Sequence, residues 1–257
     1  MSTQILLPEE RVAAIRTRLD RDGRVVAAEL AQALGASEDT IRRDLRDLAA
    51  RGLCRRVYGG ALPTSPASGA LSDRLERGAG AKAALAREAA KLVAPGQFVF
   101  LDAGSTNLAL AGALPTDAGL TVAVNAPLIA AALLERGGFD VVMIGGTLDR
   151  QTGGAIGAHA VGELRALRVD LCFLGACAVD DAANIGAFSF EDAAWKRELV
   201  AVSGAIAVAA TNEKLGTAAR FRVLAGAALD HLVVEADADP ARLAQFADIG
   251  VDVRRAI

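Results

Sequence analysis

Along the first sixty residues the apolar positions recur with the period of a helix. In LPEERVAAIRTRLDRDG, Val12, Ile15 and Leu19 face one way, and Gly23 stands where that helix should end. In VVAAELAQALGAS, Leu30 and Leu34 line one side of a helix over about Ala27–Leu34, and Gly35-Ala36-Ser37 turns the chain. In SEDTIRRDLRDLAARG, Ile41, Leu45 and Leu48 are spaced i, i+4, i+7, with Ser37 as N-cap and Gly52 as stop. LCRRVYGGA then alternates charge and apolarity into a Gly-Gly turn, the pattern of a small β-wing. Three helices, two of them joined by a tight Gly-containing turn, followed by a wing, predict a winged helix-turn-helix.

Past Ala61 the pattern changes. LPTSPASGALS (Leu62–Ser72) mixes Pro, Ser, Thr, Ala and Gly without charge and reads as a linker. AKAALAREAAKLV is helical and is stopped by Pro95-Gly96. Near-continuous apolar runs then alternate with helical stretches. QFVFLDAG, LTVAVNA, FDVVMIGGTL, VDLCFLGACAV, AIAVAATNEKLG, LDHLVVEA and VDVRR read as strands. STNLALAGAL, PLIAAALLERG, HAVGELRALR, FEDAAWKRELVAVSG and DPARLAQFAD read as helices. Strands apolar on both faces, each followed by a helix, predict a parallel sheet covered on both sides. The expected fold class is α/β: a winged helix-turn-helix over residues 1–61, a linker over 62–72, and a Rossmann-like α/β domain over 73–257.

The third helix gathers Arg42, Arg43 and Arg46 opposite its apolar face, placed to reach phosphate oxygens or to pair with guanine in bidentate fashion. Ser37 and Thr40, near its start, are short donors suited to phosphate or base edges, in a module whose third helix enters the major groove. Arg55, Arg56 and Tyr58 on the wing would touch the backbone or the adjacent minor groove. Asp44 is expected to orient Arg43 or a neighbouring arginine, because a carboxylate facing phosphate is repelled. A charged, merely solvated face is the competing reading of this helix taken alone; the preceding helix, the turn and the wing argue against it.

Charge modifies the picture. The net charge of −3 argues by itself against a nucleic-acid partner, but residues 1–61 hold 11 arginines against 9 acids, while 62–257 hold 17 basic against 22 acidic residues. A weakly basic head on an acidic body fits a double-stranded DNA operator bound by one end, with affinity leaning on geometry and dimerisation. A homodimer or homotetramer on repeated half-sites is therefore expected. Cys54, Cys172 and Cys177 lie in apolar surroundings and read as buried free thiols. With His159 and His231 the only histidines, no metal-ligand spacing appears, and neither metal nor cofactor is expected. No apolar run approaches the roughly 20 residues of a membrane span, and Pro8-Glu9-Glu10-Arg11 interrupts any leader-like run. A cytoplasmic protein without a membrane partner is expected.

In an open parallel sheet, ligands bind outside the carboxyl ends of the strands, and the polar residues collect there. Asp102, Gly104, Ser105 and Thr106 fall at a strand-to-helix turn, where backbone N–H groups and the helix dipole favour an anion and hydroxyls can donate to it. Asn125 ends the next strand and Gly145-Gly146 the one after, with Gly153, Gly154 and Gly157 in the following loop. Lys196 and Lys214 lie near a helix start and a strand end. Together these residues predict a pocket for a small phosphorylated molecule, a sugar phosphate, with Lys196 supplying charge and Asp102 and Asn125 taking sugar hydroxyls. Each has a structural reading too: a helix cap, a tight turn, a solvated lysine. No G-x-G-x-x-G follows the first strand, which disfavours a dinucleotide.

The order of these motifs resembles the DeoR family of transcriptional regulators. Ser37-Glu38-Asp39-Thr40-Ile41-Arg42-Arg43-Asp44-Leu45 is similar to that family's recognition helix, and RRVYGGA (Arg55–Ala61) to its wing, with Tyr58 where His is common. Asp102–Thr106, Asn125, Gly145-Gly146, VDLCFLGA and Lys196 are similar in order and spacing to its sensor domain. The resemblance implies a repressor of a sugar or carbon-metabolism operon, not an enzyme, whose C-terminal domain is similar in fold to ribose-5-phosphate isomerase and senses a phosphorylated sugar or related metabolite. One departure is Thr211 in TNEKLG, where the family usually has an acid. The alternative is a sugar-phosphate isomerase-like enzyme with an appended DNA-binding head. It would need a carboxylate base, for which Glu191 and Asp192, in reach of Lys196, are the candidates.

Overall fold

In the computed structural model the chain divides into two compact units, residues 1–65 and 66–257. The structure describes residues 7–22, 24–51, 53–63, 71–180 and 182–257. The expected helix stops Gly23 and Gly52, and residues 64–70 of the expected linker, lie outside them.

The first unit contains α1 (Pro8–Asp22), β1 (Val25–Val26), α2 (Ala27–Leu34), α3 (Glu38–Ala50), β2 (Cys54–Val57) and β3 (Gly60–Pro63). Its core is built from the residues that carry the helical period: Ile15 and Leu19, Leu30, then Ile41, Leu45 and Leu48, closed by Val25, Cys54 and Ala61. Gly35 ends α2 and Ser37 starts α3, its Oγ accepting the Thr40 N–H at 3.2 Å. The wing turns one residue earlier than its Gly-Gly suggests. Val57 pairs with Gly60, so the loop is Tyr58-Gly59 and Gly60 begins β3. That glycine is needed for another reason: β1 pairs with β3 at Val26↔Gly60, and a Cβ on Gly60 would lie 1.9 Å from the Val25 carbonyl oxygen. Two-residue β1 is too short for any periodicity to reveal.

The second unit opens on α4 (Leu71–Glu76), a helix at the end of what reads as linker, and α5 (Ala79–Ala90). Then come β4 (Phe98–Leu101), α6 (Ser105–Ala111), β5 (Leu120–Val124), α7 (Pro127–Arg136), β6 (Phe139–Met143), β7 (Thr147–Leu148), β8 (Ala155–Ile156) and α8 (Ala158–Leu164). The chain continues through β9 (Val169–Phe173), β10 (Ala178–Val179), β11 (Ile185–Ala187), α9 (Phe190–Ala201), β12 (Ser203–Ala210), β13 (Phe221–Leu224), β14 (His231–Glu235), α10 (Pro240–Asp248) and β15 (Asp252–Ala256). Seven of these strands form one parallel sheet in the order β15-β14-β12-β9-β4-β5-β6.

Alternate strand residues feed two cores. Phe100, Cys172, Ile206, Val208, Leu232 and Val234 pack on the face that holds Trp195 and Leu199 of α9. Val99, Leu101, Leu171, Phe173, Ala207 and Val233 pack on the face of α5, α6 and α7. Burial on both faces is why the strands read as unbroken apolar runs. Two of those runs overshoot their strands. FDVVMIGGTL breaks at Gly145-Gly146 into β6 and β7, which pairs with β8, and VDLCFLGACAV breaks into β9 and β10, which joins β11 and β13 in a small antiparallel sheet. Because β5 and β6 lie on one side of β4 and the later strands on the other, a crevice opens at the carboxyl ends of β4 and β9.

Candidate functional site

In the first unit, α3 buries Ile41, Leu45 and Leu48 and leaves Arg42, Arg43 and Arg46 exposed. Arg42 donates to Glu38 Oε2 at 2.6 Å, one turn back. An exposed pair of this spacing is worth only about 0.3–0.5 kcal/mol, so a phosphate can take Arg42 from it cheaply. Asp44 departs from expectation. It is nearly buried and pairs with Arg11 of α1 rather than with an arginine of its own helix: Nε to Oδ2 at 2.5 Å and a terminal nitrogen to Oδ1 at 3.2 Å. That carboxylate raises the Arg11 pKa above its ordinary value. The fork ties α1 to α3 and withdraws one negative charge from the arginine face. Ser37 is exposed, and its Oγ also lies 2.9 Å from Thr40 Oγ1. On the wing Arg56 is exposed and Tyr58 fully so; the Arg55 side chain is not among those described.

In the second unit a cavity opens at the carboxyl ends of β4, β9 and β12. The turn Ala103–Asn107 after β4 and Leu174–Cys177 after β9 line one part of it; Ser189, Asp192 and Lys196 come from α9 and its N-cap. Gln151 and Thr152 follow β7, Arg74 comes from α4, and Lys214 from the 3₁₀ turn Asn212–Lys214. Two buried polar atoms of residues on this wall, Thr106 Oγ1 and Arg74 Nε, have no hydrogen-bond partner among the described residues. The Lys214 ammonium has neither hydrogen bond nor ion pair among the described residues. Desolvation pushes it down to about 8, with Arg74 and Lys82 adding like-charge repulsion. The cavity thus offers donors and positive charge that the protein itself leaves unmatched.

Beneath this wall lies a closed network. Asp102, fully buried, accepts Trp195 Nε1–H at 3.0 Å through Oδ1 and the Gly175 N–H at 2.9 Å through Oδ2, which also lies 3.0 Å from Lys196 Nζ. Lys196 donates to Asp192 Oδ1 at 2.5 Å, and the Cys177 thiol lies 3.7 Å from Asp192 Oδ2. Burial alone would discharge Lys196, but Asp102 and Asp192 outweigh it and raise its pKa, so the ammonium stays charged. Burial raises Asp192 above its ordinary value against the pull of Lys196, and pushes the Cys177 thiol up to about 11.

The structure therefore brings Gly104, Ser105, Thr106, Lys196 and Lys214 together around one cavity. Asp102 and Asn125 stand behind it: Asn125 accepts the Ala103 N–H at 2.9 Å and donates to the Ala155 carbonyl at 3.1 Å, shaping the turn. Gly145 and Gly146 are exposed at the end of β6 and do not line the cavity. Thr211, the departure from the family pattern, is buried and receives the Lys214 N–H on its carbonyl at 2.9 Å, so the loop still delivers Lys214 to the wall. Sequence reasoning missed Arg74, Gln151, Thr152 and Ser189 as lining residues. Only Ser189 carried a signal: Ser-x-x-Asp ahead of a helix is a capping pattern, and Ser189 Oγ accepts the Asp192 N–H at 3.1 Å. Glu191, one candidate base, is exposed and outside the lining.

Comparison with known proteins covers both units. A model of the DeoR-like helix-turn-helix domain matches residues 11–66, and one of the DeoR C terminal sensor domain matches residues 78–236. The chain is similar to the HTH-type transcriptional regulator GlpR of Haloferax volcanii, 32% identical over 96% of this chain and 98% of the relative. It is also similar to the glycerol-3-phosphate regulon repressor of Haemophilus influenzae, 34% identical over 80% of each chain. Among solved structures, ribose 5-phosphate isomerase A of Methanocaldococcus jannaschii aligns at 16% identity over 52% of each chain with a TM-score of 0.39.

Proposed function

The chain belongs to the DeoR family of transcriptional regulators, and from that premise we propose that it is a DNA-binding repressor of a sugar or carbon-metabolism operon, released or engaged by a phosphorylated metabolite held in the cavity of its second unit. The observation that carries the effector site is the unmatched wall: among the described residues Lys214 has no ion pair, and Thr106 Oγ1 and Arg74 Nε are buried without hydrogen-bond partners, at the strand ends where α/β sheets bind ligands. A phosphate monoester supplies what these groups lack. Lys196 contributes less charge than its type suggests, since Asp102 and Asp192 already surround it. Ser105, Thr152 and Ser189 are placed to meet sugar or polyol hydroxyls. Glycerol 3-phosphate is the first compound to try, because a relative is named for its regulon.

DNA is read by α3, with Arg42, Arg43 and Arg46 on its free face, Ser37 and Thr40 at its start, and Arg55, Arg56 and Tyr58 on the wing. One head of such modest positive charge binds weakly, which favours a dimer or tetramer on paired half-sites. Among the described residues no helix is long and apolar enough to cross a membrane, in keeping with a regulator that works on DNA in the cytoplasm. The isomerase alternative lacks support. Asp192, the carboxylate among the described lining residues, is bound to Lys196 at 2.5 Å rather than free to take a proton from a substrate carbon. A thermal-shift screen of the full chain against phosphorylated sugars and polyols tests the effector reading. A selective rise in melting temperature that the unphosphorylated parent compound does not produce supports it; no shift with any of them refutes it.

A further inference from the structure

The short helix α4 is seated against the cavity by contacts that leave its Arg74 unfinished. Leu71 rests on Gly153, where a Cβ would lie 2.3 Å from Leu71 Cδ2. Leu71 and Leu75 share a small apolar groove with Leu108, Ala126 and Ile129. Lys82 Nζ donates to the Arg74 and Arg77 carbonyls at the carboxyl end of the helix. The Arg74 guanidinium donates to the Gln151 carbonyl through one terminal nitrogen, while its buried Nε has no partner among the described residues, and Arg74 is one of the residues lining the cavity. No residue of α4 is fully buried. An element with so little buried apolar surface is among the first to open locally, and α4 directly follows residues 64–70, the stretch that leads from the DNA-binding unit.

We propose that Arg74 binds the anionic group of the effector and that the docking of α4 is the step by which cavity occupancy reaches the segment leading to the DNA-binding unit. The proposal rests on the reading of the cavity as an effector site. An arginine fork on a phosphate adds charge-assisted hydrogen bonds present only when α4 is docked and the anion bound. The anion therefore favours docked over open α4 by that difference in affinity, which is the requirement for any ligand-driven shift.

Hydrogen exchange on the full chain, with inorganic phosphate and glycerol 3-phosphate as probes, separates the two claims. In the wild type, saturating probe slows amide exchange at Gly104–Asn107 and also across Ser72–Arg77, the latter by about tenfold. Arg74→Gln weakens the probe by about 10- to 100-fold, and at saturation keeps the protection at Gly104–Asn107 while losing that at α4. Lys214→Gln also weakens the probe but regains α4 protection once saturated. Unliganded melting curves check that both variants are folded. Protection of Gly104–Asn107 without protection of α4 in the wild type, or α4 protection that survives in saturated Arg74→Gln, overturns the role of Arg74 and leaves the effector site standing. No protection and no thermal shift with either probe overturns the effector site, and this proposal with it.

Discussion

Replacing Asp102 by alanine should unfold the second unit under mild conditions rather than merely silence a ligand site. The carboxylate is fully buried and serves three partners at once: the Trp195 indole N–H at 3.0 Å, the Gly175 N–H at 2.9 Å and the Lys196 ammonium at 3.0 Å. Its removal strands two buried donors, each costing about 1–3 kcal/mol. It also takes one of the two counter-ions from Lys196, which keeps Asp192 and so loses less than the roughly 3–5 kcal/mol of a fully broken buried pair. The total is on the order of 5 kcal/mol, a large fraction of the 5–15 kcal/mol typical of a domain. Urea unfolding followed by Trp195 emission reads this directly, since Trp195 is the one tryptophan of the chain and donates to the mutated group. With an m-value of about 2 kcal/mol/M, the midpoint should fall by roughly 2.5 M. Asp102→Asn should fall between wild type and alanine, because an amide keeps one acceptor but turns a donor towards Gly175 or Lys196. A midpoint within experimental scatter of the wild type would show that Asp102 is not the hub of the network, and would return it to the role its sequence motif suggests, a ligand to sugar hydroxyls.

Other expectations follow from the same geometry. Arg43→Ala or Arg46→Ala, both exposed on α3, should weaken binding to a DNA site selected by the protein by about 1–3 kcal/mol without changing the melting temperature; gel shifts at fixed salt that match the wild type would remove α3 as the reader. Asp44→Ala takes the carboxylate fork from the nearly buried Arg11 and should cost the first unit about 3 kcal/mol. It should be seen as faster hydrogen exchange in α1, and unchanged exchange would mean the fork is ornamental. Anion binding favours the charged form of Lys214, whose pKa in the free protein is depressed to about 8. From about pH 7, above the second phosphate pKa of about 6, to about pH 8 affinity for glycerol 3-phosphate should therefore be flat, and above that it should fall by about tenfold per unit, where binding must take up a proton. Calorimetry across that range should show the slope disappear in Lys214→Gln; a slope that persists assigns the titration to another group.

The DNA-binding unit was largely legible because its core obeys one period: Ile41, Leu45 and Leu48 are all in the core, as are Ile15, Leu19 and Leu30. The parallel sheet was legible for a similar reason, since two-sided burial makes each strand an apolar run. What escaped were elements too short to carry a period, β1, β8, β11, β13 and α4, and the ends of runs whose apolar character outlasts the strand. Long-range pairing escaped as well. The local pattern offered Asp44 a neighbouring arginine, but tertiary packing supplies Arg11, 33 residues away. The cavity was half legible. The turn Gly104–Thr106 announces itself by its residue types, whereas Arg74 meets the Gln151 carbonyl across 77 residues, from a short helix just past the stretch whose composition reads as linker. Residue type alone also says nothing of the structural duties these groups carry: Asp102 and Asn125 look like ligands to a sugar, and in the structure their hydrogen bonds go to the turn and to Trp195.

The proposed function requires that a phosphorylated metabolite in the cavity alter the protein's hold on DNA. The most direct test is fluorescence anisotropy of a DNA site selected by the full chain from a random pool, titrated with protein in the absence and presence of glycerol 3-phosphate and other phosphorylated sugars. At least one of them should change the DNA dissociation constant by about 5- to 150-fold, the range of a coupling free energy of about 1–3 kcal/mol. Lys214→Gln should shift the response to higher metabolite concentration while leaving metabolite-free DNA binding intact. A metabolite that saturates the protein by thermal shift and leaves DNA affinity unchanged, or an identical response in Lys214→Gln, would contradict the proposed function.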